Sequence, residues 1–225
     1  MGDLHTTPSG AEPRVLIMTA VDAERQAVLR GLAGDPRFAA ALAGVGPATA
    51  AARTMAALAD GPPCRLVVSA GIAGGFAGAA AVETLVVADA VIAADLGAET
   101  PDGFRRVDEL GFGESLAAVD AALAARAARA LQAAGLPVRL GPVLTVSTVT
   151  GTAATAMELA ARFPGAAAEA MEGYGVAVAA ALRGVPVLEI RAVSNAVGPR
   201  DRSAWRMKEA LAALEQAFAV LREVL

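Results

Sequence analysis

The alternation of short apolar runs with stretches of helical length is what most narrows the folds open to this chain. Arg14–Thr19, Phe38–Ala43, Arg65–Ser69, Leu85–Ile92, Val138–Thr145, Ala166–Met171 and Val187–Ala192 read as strands. Ala23–Leu32, Pro47–Leu58, Ala117–Ala134, Thr152–Phe163, Gly173–Leu182 and Ala204–Leu225 read as helices. That order predicts an α/β fold: a single-domain three-layer sandwich with a mixed, mostly parallel central sheet flanked by helices.

Glycine and proline punctuate the pattern. Gly44-Val45-Gly46-Pro47 breaks the chain and sets Pro47 at the first turn of a helix, and Gly135 and Pro137 end another. The polar segment Pro101 to Gly113 reads as a loop that caps a site or meets a partner subunit. Residues 1–13 carry Pro8 and Pro13 and lack the basic-then-apolar order of a secretory signal, so they read as a disordered leader. No linker interrupts residues 14–225, which read as one domain.

Composition removes several function classes. The chain is 56% hydrophobic, largely through alanine, with glycine abundant besides, and its mean hydropathy is +0.52. The uncharged stretch from Leu66 to Val82 invites a membrane span, but Gly71, Gly74, Gly75 and Gly78 make it a poor helix. A strand Leu66–Ser69 running into a glycine turn explains it, and no membrane partner is expected. The net charge of −4, with basic residues scattered, argues against a nucleic-acid partner. Cys64 is the only cysteine, which excludes an internal disulfide and suits a cytoplasmic location. His5, in the leader, is the only histidine, so neither a histidine base nor a histidine-rich metal site is expected. No cofactor is implied, since the glycines from Gly71 to Gly75 lack the lysine and spacing of a P-loop.

In open α/β sheets ligands bind beyond the carboxyl ends of strands, which directs attention to the residues that follow each one. Glu24, Glu172 and Asn195 stand out there. Each also has a plain structural reading. Glu24 suits the positive end of a helix dipole, Glu172 suits a cap from its Glu172-Gly173 turn, and Asn195 suits a turn that bonds its own backbone. Idle burial of Glu172 among apolar neighbours would be costly.

Five segments in order carry a resemblance: Ala20-Val21-Asp22-Ala23-Glu24, Gly44-Val45-Gly46, Ser69-Ala70-Gly71-Ile72-Ala73-Gly74-Gly75, Glu169-Ala170-Met171-Glu172-Gly173 and Arg191-Ala192-Val193-Ser194-Asn195. From Arg14 to the C-terminus the chain resembles the purine nucleoside phosphorylase and nucleosidase superfamily. The resemblance implies a hydrolase that splits an N-glycosidic bond. Glu24 would orient and deprotonate the attacking water, Glu172 would bond the ribose hydroxyls, and Met171 would pack under the sugar. Ala73 and Gly74 would lie beside the sugar, Val149 and Thr150 would meet the purine, and Asn195 would stand beside purine N7. Cleavage passes through a cationic, oxocarbenium-like sugar, which fixed negative charge such as Glu172 stabilises more than the ground state. The phosphorylase branch carries a basic phosphate ligand near the first turn, where an acid such as Glu24 would repel phosphate.

Two positions depart from the pattern. Nucleosidases acting on methylthioadenosine place Asp where Asn195 stands, and an amide cannot protonate a leaving base. One donor and one acceptor suit a 6-oxopurine, which makes hypoxanthine the expected leaving group. With the segment Ser194 to Arg202, this looks most like the futalosine hydrolases of the alternative menaquinone pathway. Futalosine carries a carboxyphenyl ketone at its 5′ end, so Arg200, Arg202, Arg105 and Arg106 become candidates for its carboxylate, against a plain reading as solvated loop residues. Val149 replaces the usual aromatic, leaving Phe76, Phe104 or a partner subunit to sandwich the base.

A small-molecule purine nucleoside is thus the expected partner, together with further copies of the chain. A homodimer or higher homo-oligomer is expected, with interfaces drawn from Ala48–Leu58 and Ala117–Ala134. The alternatives are a methylthioadenosine/S-adenosylhomocysteine nucleosidase, an inosine-type phosphorylase, and a nucleoside-binding protein without catalysis.

Overall fold

In the computed structural model, the residues described are 14–225; the expected leader and His5 lie outside them. The chain runs β1 (Arg14–Thr19), α1 (Asp22–Leu32), β2 (Phe38–Leu42), α2 (Pro47–Asp60), β3 (Cys64–Gly75) and β4 (Leu85–Ala93). A hairpin β5 (Gly97–Thr100) and β6 (Gly103–Arg106) follows, then β7 (Leu116–Ala117), α3 (Ala121–Ala133) and β8 (Val138–Thr145). The last elements are α4 (Ala153–Arg162), β9 (Ala168–Ala170), α5 (Gly173–Leu182), β10 (Val187–Ala196) and α6 (Met207–Leu221), with a short 3-10 turn Arg202–Ala204 before α6.

The mixed α/β architecture expected from the alternation is present. β1 lies parallel between β2 and β3, β3 is parallel to β10, and β4, β8 and β9 run parallel to one another. Antiparallel pairings of β10 with β4 and of β9 with β3 join the two sets. Because β10 pairs with both β3 and β4, strands β3, β10, β4, β8 and β9 close on themselves, and β1 and β2 extend the sheet beyond the closure.

Alternate side chains of a strand face opposite sides, and β1 divides accordingly. Val15 and Ile17 enter a core built with Leu32 of α1, Leu131 of α3, and Leu214 and Phe218 of α6. Leu16 and Met18 enter the opposite core with Ala50 of α2 and Val176 of α5. A third, smaller cluster of Phe76, Leu144, Val146, Leu159 and Phe163 seats α4. Among the described residues no helix is long and apolar enough to cross a membrane.

Several boundaries differ from the sequence reading. Ala70 to Gly75 forms no turn: β3 continues to Gly75, and β10 runs to Ala196 beside it. The glycines serve close approach there, since a Cβ on Gly75 would sit 2.2 Å from the Ala80 carbonyl oxygen. Part of the expected loop from Pro101 is strand β6, paired with β5 from Gly97–Arg106 to Thr100–Gly103. Ala117 pairs with Val91 in the sheet, so helix α3 starts later, where the Asp120 carboxylate accepts from the Ala122 and Leu123 amides. The last helix begins at Met207, because the Arg206 amide donates to the Ser194 carbonyl and ties the preceding segment to the end of β10.

Candidate active site

A cleft of about 300 Å³ opens where the ends of β1, β3 and β10 meet β9. Every residue expected at the site lines it: Glu24, Ala73, Gly74, Val149, Thr150, Met171, Glu172 and Asn195. The lengthened strands place them. Asn195 and Gly74 are partners across β10 and β3, and Gly74 is also the partner of Glu169 on β9.

Glu24 sits in the first turn of α1, as its plain reading held, yet its carboxylate faces the cleft and is only 3% exposed. Oε2 accepts from the amides of Ala20 and Val21 at 2.9 and 3.1 Å, and Oε1 accepts from the Ile72 amide at 2.9 Å. Burial pushes its pKa up; nearby Arg191 and these amides oppose that rise. One lone pair of the four stays available to a ligand. Gly71 makes the approach possible, since a Cβ there would lie 2.5 Å from Glu24 Oε1 and 2.9 Å from Arg191 Nη1.

Glu172 stands at the N-cap position of α5, but its side chain makes no capping bond there. Its carboxylate accepts from the Gly46 amide at 3.4 Å and the Met171 amide at 3.3 Å, and it pairs with Arg191 Nη1 at 3.3 Å. Asn195 Oδ1 accepts from the Ser194 hydroxyl at 2.8 Å, and Nδ2 donates to the Ala196 carbonyl at 2.9 Å. The amide thus does bond its own backbone, from the end of a strand rather than from a turn, and it keeps one N–H and one lone pair for the cleft.

The sequence pattern gives no part to Arg191, Glu189 or Glu169, although Arg191 and Glu169 lie inside two of the segments that carry the resemblance. Arg191 is 1% exposed; its Nε donates to Glu189 Oε1 at 2.8 Å and its Nη2 to the Ser69 hydroxyl at 3.1 Å. Its pKa is raised: burial works against the charge, and the carboxylates of Glu189, Glu172 and Glu24 outweigh it. Burial likewise pushes Glu189 up, with Arg191 opposing. Three carboxylates therefore surround one guanidinium.

The aromatic expected to face the base is neither phenylalanine. Phe76 is packed in the α4 core, and Phe104 lies under the Arg162 guanidinium at 4.3 Å. Trp205 lines the cleft instead, with the guanidinium groups of Arg200 and Arg202 over its ring at 5.6 and 6.0 Å. No carboxylate lies within ion-pair distance of Arg200 or Arg202 among the described residues, whereas Arg106 pairs with Asp108 and Glu109 and Arg105 donates to the Glu109 carbonyl. Among the described residues no group of histidine, cysteine, aspartate and glutamate side chains could hold a metal ion.

A mixed sheet closed on itself, with a buried carboxylate beside each of two strand ends and an amide facing them, defines an α/β protein of the phosphorylase superfamily, whose family model matches residues 15–225. The chain is 55% identical to a futalosine hydrolase of Streptomyces coelicolor, over 94% of this chain and 96% of the relative. It is 50% identical to a futalosine hydrolase of Acidothermus cellulolyticus, over 92% of this chain and 89% of that one. The solved structure of a futalosine hydrolase from Helicobacter pylori shares the fold, with a TM-score of 0.81 over 95% of this chain and 98% of that chain, at 16% identity. The chain belongs, within the superfamily, to the family of these futalosine hydrolases.

Proposed function

We propose that this chain is an N-glycosyl hydrolase that converts futalosine and water to hypoxanthine and dehypoxanthine futalosine, a step of menaquinone biosynthesis. The observation that carries the reading is the pairing, in one cleft, of two buried carboxylates with an amide where an adenine-directed enzyme would carry an acid.

In this reading Glu24 accepts a proton from water through its remaining lone pair as the water oxygen bonds to C1′. The bond from C1′ to N9 breaks, and its electron pair enters the purine. Glu172 accepts from the ribose hydroxyls, Met171 supports the sugar, and the two carboxylates together stabilise the cationic ring. Asn195 offers its one remaining N–H to the purine at N7 or O6 without giving up a proton, so the departing base takes its proton from solvent. The backbone at Ala73 and Gly74 gives the substrate a floor without bulk, and Val149 and Thr150 close the base side. Trp205 offers an apolar wall to the carboxyphenyl group, whose carboxylate Arg200 and Arg202 attract.

Arg191, the guanidinium buried beside the cleft, is already engaged by Glu189 and Glu172 and so is not free to hold phosphate, which supports hydrolysis over phosphorolysis. Residues 14–225 act as one domain in this account, in the cytoplasm and without a nucleic-acid partner. Leu182 and Leu116, exposed at 73% and 51%, border an apolar hollow between α5 and β7 and favour a homo-oligomer. Incubating the purified chain with futalosine, inosine and methylthioadenosine, with and without phosphate, tests the reading. Phosphate-independent hypoxanthine release from futalosine is expected.

A further inference from the structure

Of the three carboxylates lining the cleft, Glu24 and Glu172 belong to the Arg191 cluster and Glu169 does not. Glu169 is 5% exposed, and its bonds run to one residue: Oε1 accepts from the Thr150 amide at 2.9 Å and Oε2 from the Thr150 hydroxyl at 2.5 Å. Two donors on two oxygens fix the direction of the carboxylate and leave each oxygen free to accept again. Burial pushes its pKa up, against the two Thr150 bonds, and a more basic carboxylate is the stronger acceptor.

Its place in the sheet sets what it can reach. Glu169 on β9 and Asn195 on β10 are both register partners of Gly74 on β3. Both side chains line the cleft, and strands lie ~4.8 Å apart, so Glu169 and Asn195 stand roughly 10 Å apart at Cα, separated on β3 by Gly74, with the Val197 side chain beside it. A Cβ on Gly74 would intrude there, 3.4 Å from Asn195 Nδ2 and 3.0 Å from Val197.

We propose that Glu169 accepts the N1–H of a 6-oxopurine lodged over Gly74 between Glu169 and Asn195, and that this bond selects oxopurines over aminopurines. The inference rests on the nucleosidase reading above and names the residue that sets its base preference. A carboxylate can only accept. Hypoxanthine carries hydrogen on N1, whereas adenine presents a lone pair there, so adenine would leave a buried acceptor unpaired and facing another acceptor. The Asn195 amide can turn to offer either its N–H or its oxygen, so alone it discriminates weakly. Thr150 acts as a positioning residue by aiming the carboxylate.

Two measurements test this on the full chain. The first needs no variant: calorimetric binding of hypoxanthine, 1-methylhypoxanthine and adenine to the wild-type protein. Sites built to bond a substrate N–H reject analogues lacking it by factors of about 10⁴, and a bond to one edge of a free base should show at least ~100-fold weaker binding of the N1-methyl compound and of adenine. The second compares kcat/KM for futalosine and its 6-amino counterpart in wild type and Glu169→Gln. The oxo-to-amino ratio should fall by about 100-fold in the variant.

Binding of 1-methylhypoxanthine within about threefold of hypoxanthine would overturn the inference, and so would a Glu169→Gln enzyme that slows both substrates equally, as a purely structural tie to Thr150 predicts. A wild-type enzyme that releases base from neither nucleoside overturns the nucleosidase reading and this inference with it. An active enzyme with an unchanged ratio overturns only the role of Glu169.

Discussion

Replacing Arg191 with methionine probes the charge cluster that organises the cleft. The guanidinium has Glu189 at 2.8 Å and Glu172 at 3.3 Å, and it donates to Ser69 at 3.1 Å. At an effective dielectric of about 20 the two ion pairs are worth on the order of 10 kcal/mol of Coulomb attraction. Most of that offsets the cost of burying the charges, and truncating one partner of a buried pair costs about 3–5 kcal/mol. Arg191→Met should therefore lose about 3–5 kcal/mol of unfolding free energy in urea titrations near pH 8. The loss should also depend on pH. Glu189 already has a raised native pKa from burial, and removing Arg191 removes the group that opposes the rise. A carboxyl raised in the native state is penalised above its native pKa and relieved as pH falls toward the unfolded value of about 4.3. The deficit should accordingly shrink between pH 8 and pH 5. Adding Glu189→Met should recover more than half of it, since an apolar replacement removes the stranded charge. A deficit below about 1 kcal/mol, or one equal at both pH values, would refute this account of the cluster.

Glu24→Gln should lower kcat by about 10²–10⁴-fold and, because its NH2 must face at least one of the Ala20, Val21 and Ile72 amides, cost about 1–3 kcal/mol of stability, checked by single-turnover base release and thermal melts followed by circular dichroism. A general base works deprotonated, and burial raises the Glu24 pKa, so wild-type activity should fall on acidification at a pH above the ordinary glutamate range. Gly71→Ala would set a Cβ 2.5 Å from Glu24 Oε1 and 2.9 Å from Arg191 Nη1, so both stability and kcat should fall; wild-type rates would contradict the packing described. Arg200→Ala with Arg202→Ala should raise KM for futalosine by roughly 10–100-fold, the worth of one or two charge-assisted bonds, while leaving inosine cleavage unchanged.

The strands and helices were legible because apolar runs and glycine or proline breaks fall at regular intervals, and the site was legible because Glu24, Glu172 and Asn195 each follow such a run. What misled was the meaning of glycine. Ala70 to Gly75 has the composition of a turn, yet it is strand, and its missing side chains make room for Glu24, Arg191 and the Ala80 carbonyl. The Arg191 cluster did leave a trace: Glu189 and Arg191 are opposite charges two apart in the apolar run Val187–Ala192, which places them on one strand face where only pairing makes burial tolerable. Glu169 left none, because its bond to Thr150 depends on β9 lying beside β8 and β3. Trp205 reaches the cleft through the Arg206 to Ser194 backbone bond, which composition cannot announce.

The most direct test of the central claim is chromatographic analysis of the purified chain incubated with futalosine, with and without phosphate. The account predicts equal rates of hypoxanthine release in both, with dehypoxanthine futalosine as the other product and no release from methylthioadenosine. Strict dependence on phosphate, or release of adenine from methylthioadenosine in place of hypoxanthine from futalosine, would contradict it.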